Sequence, residues 1–495
     1  MISLRPYQLD AVERVRVALR SGSRRVLIAL PTGGGKTVIA AHLITQSVAR
    51  GRRVLFIAHR RELIQQCYRK LLEAGIEERA IGVLMAGDPR RRPGAEVQVA
   101  SIDTLRHRAK PLADLVIVDE AHRALAKSYR DVAAGYPSAV HLGLSATPYR
   151  ADGQGLGDAY DDLVVVATAA ELIAQGFLVE PRVFTVSASD LPDLSEVRVR
   201  RGDYDERALA AAVDKQPLVG NIVEHWQRLA GERRTVAFAV SVEHSRHIAE
   251  RFRKAGVAAE HLDGATTPLE RDAILRRLER GETRVVSNCG VLCEGWDQPA
   301  VKCCILARPT KSVGLYLQQA GRILRPWRDV SGDPVSAVVL DHAGCAMAHG
   351  LPHDDRELSL ETREKRRGKK APMPPRAKIC GGCQMAIAPA TRTCGGCGFS
   401  LRAVEGVPGE KTATLVEVPA APLDEKRAAW DALCAKASRL SLTRQWALAR
   451  YRERFGAAPS TAYERPALGA KDDARVATPE APSTPSSSEL VEWDI

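Results

Sequence analysis

The run Arg24-Arg25-Val26-Leu27-Ile28-Ala29-Leu30-Pro31-Thr32-Gly33-Gly34-Gly35-Lys36-Thr37-Val38-Ile39 decides how the rest of the chain is read. Residues 26–30 are five apolar residues in a row, the pattern of a strand buried on both faces. From 38 to 50 the periodicity turns helical. Between them lies Pro31-Thr32-Gly33-Gly34-Gly35-Lys36-Thr37. Glycines there let the backbone aim N–H groups at phosphate oxygens without Cβ clashes, and the following helix adds its positive end. Lys36 is then placed for the β- and γ-phosphates of ATP and Thr37 for Mg²⁺. The general phosphate-loop pattern has a glycine where Leu30 stands, so the stretch alone is an incomplete match. Its plain rival is a glycine-rich turn before a helix.

Further short apolar strands are predicted at 53–58, 97–100, 115–118 and 140–144, with a helix at 62–74. Strands alternating with helices imply a parallel sheet covered on both faces. The same grammar returns from 216 onward, with strands at 235–239, 258–262, 284–287, 301–306 and 337–340 and helices at 242–255, 268–279 and 314–323. The expectation is an α/β chain with one domain over 1–186, a polar linker over 187–215 and a second domain over 216–350. A basic, proline-bearing linker (351–378), a cysteine cluster (379–402), a helical segment (425–457) and a tail of disordered composition (458–495) follow. Trp430, Leu433, Leu440, Trp446, Leu448 and Tyr451 are the apolar anchors of the helical segment, which reads as a small core or a docked helix.

Asp119-Glu120-Ala121-His122 follows the apolar run 115–118. Two carboxylates at the end of a buried strand are costly unless they bind something, and that end of a doubly wound sheet is where ligands sit. Asp119 suits the Mg²⁺ shell, and Glu120 suits polarising an attacking water. The rival is an acidic first turn of the next helix.

In this order, these spellings resemble superfamily 2 helicases of the DEAD/DEAH group. Leu4-Arg5-Pro6-Tyr7-Gln8 is similar to the family's Q-type motif, which implies adenine recognition by Gln8 with help from Arg5. Ala58-His59-Arg60-Arg61-Glu62-Leu63 resembles motif Ia and Ala100-Ser101-Ile102-Asp103-Thr104-Leu105 motif Ib. The resemblance implies nucleic-acid contacts by His59, Arg60, Ser101 and Thr104. Ser145-Ala146-Thr147 resembles motif III; Ser145 and Thr147, with His122 and Gln318, are implied to couple hydrolysis to movement. Residues 285–299 resemble motif V, with Ser287 implied to touch nucleic acid, Gly295 to belong to the ATP site and Asp297 to meet the ribose. Gln318-Gln319-Ala320-Gly321-Arg322-Ile323-Leu324-Arg325 resembles motif VI, whose arginines Arg322 and Arg325 would close over the γ-phosphate. The implied fold is two tandem RecA-like domains with ATP and Mg²⁺ in the cleft between them. The wording LRPYQ, LPTGGGKT, AHRRELIQQ and GWDQP is most similar to the RadD-like branch, related to XPB and to type I and III restriction motors. That branch implies DNA as partner, RNA not being excluded, and work in repair or recombination.

Cys380-Gly381-Gly382-Cys383 and Cys394-Gly395-Gly396-Cys397, ten residues apart, read as four ligands of a structural Zn²⁺ ribbon. Redox pairs or a disulfide staple are the alternatives. Such a ribbon would grip nucleic acid or a protein partner, such as a single-strand-binding or repair protein. The seven other cysteines lie singly in apolar segments, as in a reduced cytoplasmic protein, nucleoid-associated in a bacterium. A net charge of +12 favours a polyanionic partner. The start lacks the apolar core of a signal peptide, and no run is long enough for a membrane span. Two other readings keep the engine: a duplex translocase of a restriction or phage-encoded system that separates no strands, and a zinc-dependent recruitment module whose ATPase is a clamp or switch.

Overall fold

The structure is a computed structural model. It describes residues 3–148, 153–186, 191, 193–200, 202–213 and 222–362, and then 378–379, 386–387, 416–418, 423–439, 447–448 and 450–451. Its first half runs α1 (Pro6–Arg20), β1 (Arg25–Ala29), α2 (Lys36–Ala49), β2 (Val54–Ala58), α3 (Arg61–Glu73), β3 (Ile81–Leu84), β4 (Val97–Ser101), α4 (Ile102–Leu105), β5 (Leu115–Asp119), α5 (Lys127–Ala133), β6 (Val140–Ser145), β7 (Asp162–Val165) and α6 (Ala169–Ala174). The strands form one sheet in the order β3-β4-β2-β5-β6-β1-β7, every neighbour parallel. β2 and β5 are buried at all five positions, as continuous apolar runs require in a sheet with helices on both faces.

The second half runs β8 (Pro181–Thr185), β9 (Val199–Arg200), β10 (Asp203–Tyr204), α7 (Glu206–Val213), α8 (Ile222–Ala230), β11 (Thr235–Phe238), α9 (Val242–Lys254), β12 (Ala259–Leu262), α10 (Pro268–Arg280), β13 (Val285–Asn288), β14 (Cys303–Leu306), α11 (Val313–Gly321), β15 (Ala337–Asp341) and α12 (Cys345–His349). After it come β16 (Lys378–Ile379), β17 (Ala386–Ile387), β18 (Val416–Val418) and α13 (Leu423–Arg439). The second sheet has the order β12-β13-β11-β14-β15-β8-β18 and is parallel except for β18 on β8.

Three expectations change. The first domain does not extend to 186, because β8 pairs with β15 in the second sheet, where Val183 and Phe184 are buried. The stretch expected as a linker over 187–215 is partly built: Leu209 and Val213 of α7 pack on Val240 of the second domain. The first residues of the expected linker 351–378 are also packed. Leu360 lies against the first domain, and its carbonyl accepts from Gly157 N at 3.0 Å. Buried Lys426 of α13 reaches Asp354 at 3.1 Å, tying the C-terminal helix to this strap. In the 425–457 segment, Trp430 and Tyr451 meet edge to face at 5.7 Å, a small core.

The helix α1 is absent from the sequence reading. Its stripe of Tyr7, Ala11, Val12, Val15, Ala18 and Leu19 is interleaved with charges. Cys380, Cys383, Cys394, Cys397 and the 458–495 tail lie outside the described residues. Among the described residues no His, Cys, Asp and Glu cluster fits a metal, and no helix is long and apolar enough to cross a membrane.

Candidate active site

The β1–α2 connection is the glycine loop. Gly33 and Gly35 have φ of 88° and 90°, the left-handed region that side chains avoid. A Cβ on Gly35 would sit 2.4 Å from Gln8 Nε2, and one on Gly34 would sit 2.7 Å from Leu30 Cγ. Leu30 is fully buried beneath the loop, so the residue that breaks the general pattern is a packing support. The bare backbone above it is a cradle of the kind phosphates occupy. Lys36 Nζ donates to Leu30 O at 3.2 Å. Burial lowers the Lys36 pKa, against the opposing pull of Glu120 and Asp119.

The start of α1 braces this loop. Gly34 O accepts from Tyr7 Oη at 2.8 Å and from Gln8 Nε2 at 3.2 Å, while Gln8 Oε1 accepts from Arg5 N at 2.9 Å. The Arg5 guanidinium lies 4.6 Å over the Phe177 ring, and Tyr7 packs 5.2 Å from the same ring. Tyr7 and Phe177 were not expected at the site. Phe177 follows α6 in a stretch with no motif, so only the fold reveals it.

Asp119 ends β5, and Glu120 follows with φ 51°, a strained conformation for a residue with a side chain. Both are buried, at 4% and 5% exposure. Asp119 Oδ1 accepts from Glu120 N at 2.9 Å. Burial and the Glu120 charge push Asp119 up to about 7. Burial pushes Glu120 up too, but His122 and Lys36 outweigh it and leave its carboxyl below the usual range. One carboxylate destabilised in its charged form beside one kept ionised suits a cation at the first and base chemistry at the second.

The second domain closes on this pair. Gln318 Nε2 of α11 donates to Glu120 Oε2 at 3.1 Å, and His122 Nδ1 lies 3.3 Å from the same oxygen. Ser145 Oγ donates to Thr147 O at 2.6 Å, making a tight turn whose Thr147 faces α11 at Gly314. A Cβ on Gly321 would sit 2.7 Å from Thr32 Cβ, so α11 rests on the glycine loop itself. Arg322 is 5% exposed, with Nε and Nη2 donating to Cys293 O at 3.1 and 2.6 Å and Nη1 to Trp296 O at 2.5 Å. These bonds take three of its five N–H donors; its charge acts on Lys36, and the Glu120 charge acts on it. Arg325 Nε pairs with Asp297 at 3.0 Å, and its Cγ lies 3.4 Å from a Cβ built on Gly33. Gly295, at φ 72°, lets its loop press against Glu62 and Leu63 of α3.

The residues expected on nucleic acid are less alike. Ser101 and Thr104 are half-buried, and Thr104 Oγ1 accepts from Ala86 N at 3.1 Å. Ser287 lies inside β13, fully buried with its hydroxyl 2.8 Å from Ser245, so the structure gives it no exposed surface. His59 Nε2 is 2.5 Å and Arg60 Nε 2.9 Å from Glu294 Oε2, and Arg123 Nη2 is 3.3 Å from the other oxygen. Although burial opposes it, His59, Arg123 and Arg60 hold the Glu294 carboxyl well below the usual range. Glu294 was not singled out in the sequence; its one signal is an acid beside Gly295, in a region expected to face phosphates.

Two parallel-sheet domains, a glycine loop with two buried carboxylates on one and two arginines from the other, define a two-domain ATP-driven motor. Family comparison agrees: residues 1–150 match the type III restriction enzyme res subunit and residues 218–326 the helicase conserved C-terminal domain, together just over half of the chain. The chain belongs to the superfamily 2 helicases, among those related to restriction-enzyme motor subunits. It is 31% identical over 359 residues to a 51.5 kDa protein of a Lactococcus phage, covering 72% of this chain and 74% of that one. It is 31% identical over 342 residues to IRC3 of Saccharomyces cerevisiae, provisionally named an ATP-dependent helicase, covering 65% of this chain and 49% of IRC3. It is 26% identical over 373 residues to the DNA 3'-5' translocase XPB2 of Sulfurisphaera tokodaii, covering 66% and 79%. The chain thus spans only about half the length of the yeast relative.

Proposed function

We propose that this protein is a DNA-dependent ATPase that uses hydrolysis in the inter-domain cleft to translocate along or unwind DNA. The contact that carries this reading is Gln318 on Glu120, which makes the water-polarising carboxylate sense the position of the second domain. Gly33, Gly34, Gly35, Thr32 and Lys36 would hold the phosphates. Thr37 and Asp119 would hold Mg²⁺, which would neutralise charge on the transferring group. Glu120 would orient water, Arg322 and Arg325 would meet the γ-phosphate, Gln8 and Arg5 the adenine, and Asp297 with Gly295 the ribose side. His122, Ser145, Thr147 and Gln318 link the cleft to α11. Opening and closing this cleft would shift a strand held across both domains.

DNA is favoured over RNA by the likeness to XPB2 and to the restriction res family. A role in DNA repair in the RadD-like manner, with a single-strand-binding or repair protein as partner, is the finer form of this reading. The cysteine cluster is assigned to structural Zn²⁺. In support, β16 and β17 pair antiparallel, and Cys380 and Cys383 fall between them in the sequence, where a ribbon's first ligand pair would stand. One other reading stands beside it, a duplex translocase of a restriction or phage-encoded system that separates no strands, in line with the match to the restriction res family. A strand-displacement assay run beside a triplex-displacement assay separates the two: unwinding supports the first, and triplex displacement alone the second.

Glu294→Gln tests the cross-cleft cluster. Glu294 occupies the cations expected to meet a strand, so its neutralisation should release them. Without ATP, DNA affinity should rise about three- to tenfold, and the salt slope should steepen by about one to two as one or two more phosphates are contacted. Fluorescence anisotropy across a salt series reads both; unchanged affinity and slope would remove Glu294 as a competitor of the strand.

A further inference from the structure

The turn that carries both arginines is poorly made as a helix. α11 ends at Gly321, and the next bonds are long: Arg322 N to Gln319 O at 3.3 Å, Ile323 N to Ala320 O at 3.4 Å and Leu324 N to Gly321 O at 3.5 Å. Ile323 and Leu324 are buried, so the carbonyls at this helix end need protein partners. Lys302, immediately before β14, is 1% exposed. Its Nζ donates to Ile323 O at 3.1 Å and also to Arg325 O. Leu324 O, between them, accepts from Val179 N at 2.7 Å. Three successive carbonyls are therefore pinned, two of them by one ammonium.

A buried ammonium with no carboxylate partner among the described residues is costly, and packing alone does not call for one. What it supplies is a positive charge at the negative end of a helix and two hydrogen bonds to the backbone that bears the arginines. We propose that Lys302 is a positioning residue for ATP hydrolysis: by holding the carbonyls of Ile323 and Arg325, it fixes the turn that presents Arg322 and Arg325 to the γ-phosphate. The proposal rests on the motor reading above.

The environment makes this testable by pH. Burial, with Arg325 as the like-charged neighbour, brings Lys302 down to about 8. The charged groups facing it are Arg325 and, 3.0 Å beyond, the Asp297 paired with Arg325. The main chain of Lys302 is itself fixed, its N donating to Arg234 O at 3.0 Å and its O accepting from Val338 N at 2.8 Å. Below about 8 the ammonium caps the turn; above it the neutral amine holds carbonyls weakly. Its pKa is lower folded than unfolded, so between the two values the unfolded chain binds more protons and this group's contribution to stability rises with pH. An alkaline loss of turnover therefore runs opposite to any loss of fold from the same group.

The test is ATP turnover with saturating DNA from neutral pH to about 9.5, for wild type, Lys302→Met and Lys302→Gln, with thermal melts alongside. Wild-type kcat should fall through a midpoint near 8 while KM for ATP stays nearly constant. At neutral pH Lys302→Met should turn over about ten- to a hundredfold more slowly, the cost of slightly misplacing reacting groups, and should lack the alkaline limb. Lys302→Gln, which keeps donors but no charge, should fall between and stands in where the Met variant does not fold. A Met or Gln variant with wild-type kcat, or one that keeps the alkaline limb, overturns the proposal alone. A wild type without turnover on any DNA overturns the motor reading and the proposal with it.

Discussion

Glu120→Gln should lower ATP turnover by about 10²–10⁴-fold while nucleotide binding survives. Glu120 is buried, yet against that burial His122 and Lys36 hold its carboxyl below the usual range, and its Oε2 accepts from Gln318 across the cleft. The amide keeps the shape of the side chain and much of the contact with Gln318, but it removes the charge proposed to polarise water. Single-turnover hydrolysis beside binding of a fluorescent ATP analogue separates the two effects. Wild-type turnover would show that another group orients the water. A joint loss of binding and turnover would mean instead that Glu120 shapes the phosphate site. Its left-handed backbone at φ 51° makes that a real alternative, because the strain is maintained by surrounding contacts.

Arg322→Ala should cost about 10³–10⁵-fold in kcat, the range for arginines that meet a transferring phosphoryl group. The side chain is nearly fully buried, and three of its N–H groups are held by Cys293 O and Trp296 O. That leaves two of its five donors for a phosphate in the proposed closed cleft, on a guanidinium already fixed in place. Arg322→Lys should rescue little, since an ammonium cannot hold two carbonyls in that geometry and also face the phosphate. The comparison of kcat among Arg, Lys and Ala at saturating DNA is the check. A Lys variant near wild type would mean that charge alone suffices and the fork is incidental.

Much of this cleft was legible in the sequence because its chemistry sits where secondary structure changes. The glycine loop lies between an apolar run and a helical one, and Asp119 and Glu120 end another apolar run, so pattern and chemistry pointed to the same place. Leu30 was legible only as a departure; the structure explains it as the buried support of Gly34. β8 was assigned to the wrong domain because a five-residue strand carries no record of its partner, and partner choice is a tertiary matter. Glu294 and Lys302 escaped for a related reason. Each is one charged residue in an apolar stretch, and its meaning lies in groups more than twenty residues away: His59 and Arg60 for one, the Ile323 and Arg325 carbonyls for the other. Ser287 shows the opposite failure, a residue in the right motif whose side chain the sheet keeps inside.

In the proposed function the two sheets form one engine, in which nucleic acid across both domains sets the rate of ATP hydrolysis in the cleft. Steady-state ATP turnover of the full chain, measured without nucleic acid and with single-stranded DNA, duplex DNA, forked DNA and RNA, tests it most directly. Turnover should be stimulated at least about tenfold by one or more DNA forms and abolished by Lys36→Ala. Turnover that is the same with every nucleic acid as with none would contradict it.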